Sequence, residues 1–386
     1  MTGPRTMLNS RDILDRLISF QTVSRTPNID LIRYVADLLA DAGIECRIIE
    51  SPDGTNANLY ASTGPAGGGG VMLSGHTDVV PVDGQNWSVE PFRLTEREGR
   101  LYGRGTTDMK GFVACALRAM MLAADRNLTK PLHLALSYDE EIGCIGVRRL
   151  LDTLETAPDR PGFCIVGEPT ELSVATGHKG KIAARAICKG LEVHSALAPQ
   201  GVNAIHLAAD FIQALRALQL ELAEGGARDD DYDVPYSTVH AGIIQGGTAL
   251  NIVPNRCVID FEIRHLKADD PADLLSRIEA AAATITRHHE EGCGISVEIV
   301  NQYPGLDTPS DVEVVSFVKS LTGANATTKV AFGTEGGLFD ARLGIPTVVC
   351  GPGSMAQGHK PDEFIEASQI AACDRFLETL LNRMSA

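Results

Sequence analysis

The chain has 386 residues, 44% of them hydrophobic, which is more than one core normally organises and predicts a globular protein of two domains. Its 34 basic and 50 acidic residues leave a formal net charge of −16, which argues against broad docking on nucleic-acid phosphates or anionic lipid. No apolar run reaches the ~18 residues of a membrane span, and Met1–Arg11 lacks the apolar centre of a secretory signal. No nucleic-acid or membrane partner is therefore expected.

Taken in chain order, apolar residues at helical spacing (Leu31, Ile32, Val35, Leu38, Leu39) predict a helix within Ile13–Ala42, stopped by Gly43. Strand-like runs follow at Glu45–Ile49, Asn58–Ser62 and Val71–Ser74. The glycine-rich segment Gly64–Gly70 lacks the Lys-Ser/Thr and helix of a phosphate loop and reads as a turn. Next come a helix over Gly111–Asp125, a strand over Leu132–Tyr138, a helix over Glu141–Leu154 and a strand over Phe163–Val166. This alternation predicts an α/β layer with a mostly parallel sheet.

From Lys179 to about Val300 the order becomes strand Ile182–Cys188, helix Ala204–Gly225, strands Thr238–Gln245 and Arg256–Arg264, helix Pro271–Glu290 and strand Ile295–Val300. That is a ferredoxin-like βαββαβ order. The α/β pattern then resumes with helix Asp311–Leu321, strand Pro346–Cys350 and helix Ala367–Met384. A smaller α+β domain over 179–301 is thus expected inside a larger one formed by 1–178 and 302–386. Nine scattered cysteines without a CxxC pair suggest reduced thiols and a cytoplasmic location.

The chemistry-bearing residues gather after predicted strands. His76 and Asp78 follow the strand ending at Ser74, Glu140 and Glu141 the strand ending at Tyr138, and Glu168 the strand ending at Val166. His359 lies beyond Pro346–Cys350, and Asp108 opens the helix after Gly103-Arg104-Gly105-Thr106-Thr107. In an open α/β sheet, ligands bind outside the carboxyl ends of the strands. Five carboxylates and two imidazoles in one place repel or shift one another unless cations are present. Zinc takes these donors, and a pair of metals needs a bridging ligand such as Asp108. Two divalent ions are expected, Zn²⁺ first, with Co²⁺ or Mn²⁺ sharing the same donor types. The adjacent Glu140 and Glu141 point apart, so one can bind metal while the other handles a proton. Asp78 can fix the tautomer of His76.

Gly75-His76-Thr77-Asp78-Val79-Val80-Pro81, Gly103–Gly111, Asp139-Glu140-Glu141 and Gly167-Glu168-Pro169-Thr170, with His359, resemble in order the signatures of the M20 metallopeptidase family. The resemblance implies a zinc-peptidase-like α/β/α catalytic domain with an inserted ferredoxin-like lid and dimerisation domain, hence a homodimer. It implies one metal at His76, Asp108 and Glu168, a second at Asp108, Glu141 and His359, Glu140 as general base, and Asp78 orienting His76. His194 would stabilise an oxyanion in a neighbouring subunit, and Asn251 and Arg264 would bind the substrate carboxylate. Within the family, the runs Gly333-Thr334-Glu335 and Gly351–Glu363 are similar to those of members acting on acetylated ornithine, which implies that compound as the expected small-molecule substrate, among N-acyl amino acids generally. Succinyl-diaminopimelate or a small peptide is the alternative. Glu335 is expected to face the side-chain ammonium or to serve the structure. A non-catalytic amino-acid-binding protein would be expected to lack a ligand or the base, and none is missing.

Overall fold

The computed structural model describes residues 8–289 and 291–386; Met1–Met7, and Glu290 at the end of the helix expected over Pro271–Glu290, lie outside the described residues. The chain forms two compact units. The first comprises the chain up to Gly177 with Leu306–Lys329 and Thr334–Ala386, and the second His178–Gly305 with Val330–Gly333.

The sheet of the first unit runs, in spatial order, Cys46–Glu50, Ala57–Thr63, Leu132–Ser137, Val71–His76, Phe163–Pro169, Thr347–Gly351, Val174–His178 and Leu306–Asp307, with Thr327–Val330 beside Val174–His178. Its four central strands, Leu132–Ser137, Val71–His76, Phe163–Pro169 and Thr347–Gly351, are parallel. Leu132–Ser137 and Val71–His76 are buried along their whole length, as continuous apolar runs in a sheet covered on both faces require. Leu73, Leu134, Leu136, Ile165 and Val348 join one core with Phe112, Val113 and Leu117 of helix Gly111–Ala124 and with Leu377 and Leu380 of helix Ala367–Met384. Each such leucine contributes roughly 1.5–3 kcal/mol by leaving water. Because the four strands are parallel, their carboxyl ends share one edge, and there His76, Ser137, Glu168 and Gly351 lie.

In the second unit the order Thr238–Gly246, Arg256–His265, Gly180–Lys189, Gly294–Tyr303 is antiparallel throughout. With helices Ala204–Gly225 and Pro271–Thr286 this is the expected βαββαβ arrangement. Gly180–Lys189 and Arg256–His265 alternate buried and less buried residues, as a sheet with one covered face should. Phe211, Leu215, Ile259, Phe261, Ile263 and Ile278 form its separate core.

Several expectations need correction. The single helix within Ile13–Ala42 is two, Ser10–Ile18 and Ile29–Asp41. Pro27 disfavours helix at Thr26, and Thr22 instead donates to the Thr77 carbonyl at 2.5 Å. The helix expected from Glu141 begins only at Val147. Gly143 and Cys144 take positive φ, and a Cβ on Gly146 would lie 2.3 Å from the Tyr138 carbonyl oxygen, so this stretch is a tight turn. The strand expected to end at Val166 continues to Pro169, which puts Glu168 on the strand itself. Helix Gly336–Leu343 and the antiparallel trio Phe364–Glu366, Arg100–Tyr102 and Thr95–Arg97 were not anticipated.

Candidate metal centre

His76 ends its strand with its ring 1% exposed, so every ring contact is with protein. Its Nδ1 lies 2.9 Å from the backbone carbonyl of Asp78, an acceptor only, and so carries the proton. That leaves the Nε2 lone pair available to a cation, with Asp108 Oδ1 at 3.1 Å and Glu168 Oε1 at 3.6 Å from it. The tautomer is thus held chiefly by Asp78's backbone, its carboxylate standing 3.5 Å away. The carboxylate does something further. It accepts from the Glu140 and Glu141 amides at 3.0 and 3.3 Å and from the Ser24 hydroxyl at 2.8 Å, tying the Glu140–Glu141 turn to the His76 loop.

Asp108 lies on the turn Thr106–Lys110, whose entry at Gly105 has φ +87, a left-handed conformation that favours glycine. Its two oxygens face different partners: Oδ1 meets His76, and Oδ2 lies 3.1 Å from His359 Nε2. His359 Nε2 is also 3.1 Å from Glu141 Oε2. Two sets of three donors result, His76–Asp108–Glu168 and Asp108–Glu141–His359, each with ligand atoms within 4.8 Å of one another. Asp108 belongs to both.

The electrostatics show that such a cluster favours positive charge. Burial pushes Glu168 and Glu140 well above the ordinary carboxylate range, and neighbouring carboxylates push them further. Glu141 is raised to about 7, first by burial and then by Asp108. Against burial, which acts the other way in both, His359 and His76 hold Asp108 low, and Asp108 and Asp78 raise His76. His359 is raised to about 10 by Asp108 and Glu141. The carboxylates therefore draw positive charge to the imidazoles of both sets. Imidazole and carboxylate donors, three to a set with one shared carboxylate, fit a pair of divalent ions.

Glu140 binds in neither set. Its Oε1 accepts from the Cys144 thiol at 3.4 Å. Glu335 is as deeply buried as His76, Asp108 and Glu168. It is 2% exposed, its Oε2 accepts from Ser74 at 3.4 Å, and its charge bears on Glu140. Burial raises it to about 7.

His194, Asn251 and Arg264 belong to the second unit. His194 is exposed, its Nδ1 accepting from the Ala196 amide at 3.1 Å, and the Asn251 carbonyl accepts from Ser195 at 2.9 Å, so these two loops run side by side. Arg264 is half-buried and already engaged, Nε donating to Glu262 at 3.1 Å and Nη1 to the Tyr303 hydroxyl at 3.1 Å. Sequence reasoning missed Glu363, whose carboxylate accepts from Arg104 and from the Gly105, Thr107 and Asp108 amides. Only its place in the run after His359 signalled it.

Residues 72–383 match the family model described as peptidase family M20/M25/M40. An acetylornithine deacetylase of Myxococcus xanthus is 35% identical over 372 residues, 95% of each chain. Another, of Klebsiella pneumoniae (strain 342), is 36% identical over 366 residues, 93% of each. Among solved structures, an M20 family metallo-carboxypeptidase from Sulfolobus solfataricus superposes with TM-score 0.79 at 19% identity, covering 97% of this chain and 99% of that one. A dinuclear metal-binding M20 peptidase of Bacillus subtilis does so at 0.69 and 14%, covering 97% of each. The chain belongs to peptidase family M20/M25/M40 and is a metal-dependent hydrolase.

Proposed function

We propose that this enzyme hydrolyses N2-acetyl-L-ornithine to L-ornithine and acetate, a step of arginine biosynthesis. The observation that carries the reading is the double role of Asp108 between two donor sets, in a chain whose 35% and 36% identical relatives are acetylornithine deacetylases over nearly their full length. The ions would be held by His76, Asp108 and Glu168, and by Asp108, Glu141 and His359. Zinc is the first choice, and cobalt or manganese suits the same donors. Bound there, such a pair supplies Lewis acidity and lowers the pKa of water.

The protein's own groups do the rest. Glu140 takes a proton from the attacking water as its oxygen adds to the acetyl carbonyl carbon. As the C–N bond breaks, Glu140 returns that proton to the departing amine, leaving acetate and the free amino acid. Asp78 holds Glu140 by its amide, and the Cys144 thiol steadies the carboxylate. His194, from a partner subunit, donates to the developing oxyanion. Asn251 and Arg264 receive the substrate carboxylate, Arg264 with its planar fork, which requires it to exchange its bonds to Glu262.

A homodimer through the inserted unit is supported by the edge strand Thr238–Gly246, where Ile243 and Ile244 are about half exposed. A cytoplasmic location is supported by nine free cysteines. The test is a substrate panel for the zinc- or cobalt-reconstituted enzyme: N2-acetyl-L-ornithine, other N-acetyl amino acids, N-succinyl-diaminopimelate and dipeptides. The highest kcat/KM is expected for acetylornithine. Preference for the succinyl compound or for dipeptides overturns the substrate assignment while leaving the family intact.

A further inference from the structure

Outside the donor sets, the first unit contains a polar network that no metal or substrate requires. Arg104 and Glu363 are each 1% exposed and pair at 2.7 Å. Glu363 Oε2 also accepts from the Gly105 amide at 3.0 Å, while Oε1 accepts from the Thr107 and Asp108 amides at 2.9 and 3.2 Å. One buried carboxylate thus gathers the whole turn that presents Asp108.

The other arm leads to His359. Arg104 Nη2 donates to Gln85 Oε1 at 2.5 Å, and its guanidinium lies 5.0 Å from the Trp87 ring centroid. Trp87 Nε1 donates to the same oxygen at 3.0 Å. Two donors at Oε1 fix which end of the amide is nitrogen, and that Nε2 donates to the backbone carbonyl of His359 at 3.1 Å. His359 has φ +60, and Asp362 has φ +54, conformations uncommon for residues with a Cβ. Such a backbone persists where its surroundings hold it. The Gln85 bond, and the Ser88 amide donating to Asp362 Oδ1 at 2.7 Å, supply that hold.

We propose that Gln85, Arg104 and Glu363 form a clamp of positioning residues that sets Asp108 and His359 in register, so that the affinity of the Asp108–Glu141–His359 site depends on side chains that never touch the ion. The inference rests on the two-cation reading above. Partners beyond the ligands themselves change metal affinity by about 10–100-fold when removed, and this clamp acts on two ligands of one site.

Metal-stripped full-length protein is titrated with Zn²⁺ in calorimetry, with thermal midpoints of the stripped proteins measured alongside. The wild type is expected to bind two ions. Gln85→Ala, at a partly exposed loop position, should weaken one of the two dissociation constants by about 10–100-fold. The other constant and the thermal midpoint of the stripped protein should stay at wild-type values, which a merely structural residue would not allow. Glu363→Gln should weaken both constants, since Asp108 serves both sites; if that variant does not fold, Gln85→Ala decides. A wild type that binds two ions beside a Gln85→Ala protein that binds both equally well overturns the clamp alone. A wild type that binds fewer than two overturns the two-cation reading and the clamp with it.

Discussion

The two units place their functional residues in opposite ways. In the first, His76, Asp108 and Glu168 are at most 3% exposed; parallel strands fix His76 and Glu168, and the turn Thr106–Lys110 fixes Asp108. In the second, His194 and Asn251 are exposed on loops beside an antiparallel sheet. Residues that compete for cations need a rigid, low-dielectric setting, where charge is costly and geometry cannot relax. Residues that meet a substrate or another subunit must stay accessible until it arrives. Under the roles proposed above, the first unit holds the cations and the base Glu140, and the second supplies His194 and the substrate contacts.

The sharpest attempt to break that division is Asp108→Ala. Because both donor sets use this carboxylate, bound zinc by elemental analysis should fall from two ions toward none and turnover should vanish with it. Retention of both ions would remove the bridging role.

Next comes Glu140→Gln, which should lower kcat by about 10²–10⁴-fold with zinc content unchanged. Loss of metal in that variant would make Glu140 a ligand and not the base. His194→Ala should cost about 10²–10³-fold in kcat, again at normal zinc content. Mixing it with Glu140→Gln protein should return part of the activity if His194 acts across a dimer. Stable hybrids with no recovery would confine it to its own subunit.

The smallest effect concerns His178, a buried residue of the second unit. Burial lowers its pKa to about 4, Lys267, His265 and Arg264 adding to the shift while the Lys179 carbonyl opposes it. The folded protein therefore binds a proton here less readily than the unfolded chain, whose histidines titrate near about 6.5. The neutral ring is tolerated above that value, and stability is lost as pH falls from about 6.5 toward about 4. On the order of 2 kcal/mol should separate pH 7.5 from pH 5 through this group. Urea unfolding of His178→Asn at both values should show a correspondingly smaller difference than wild type; an equal difference would rule out His178 as its source.

How far these residues could be read from the chain depended on the range of the interactions that place them. The strand Val71–Ser74 and its following Gly-His-Thr-Asp announced themselves because apolar runs and strand-end polar residues are local patterns. The break at Ser19–Asn28 was hidden because helical periodicity on either side of Pro27 is uninterrupted to the eye. Its purpose, carrying Ser24 to Asp78, is a contact between distant segments. The late start of the helix at Val147 follows from two positive-φ residues, which composition only hints at. Glu335 left a substrate role and a structural role both open because its charge was visible and its burial was not.

The main run of elements, the insertion of a βαββαβ unit and the candidate metal donors were determined by the sequence alone, since periodicity and residue chemistry are written residue by residue. Which oxygen of Asp108 faces which imidazole, that Asp78 grips the Glu140–Glu141 turn, and that Glu363 gathers the Asp108 loop from 255 positions away were decided only by the tertiary structure. The reason is physical: a buried polar group is stable only with its partners in place, and those partners come together only once the sheet has brought its strand ends to one edge.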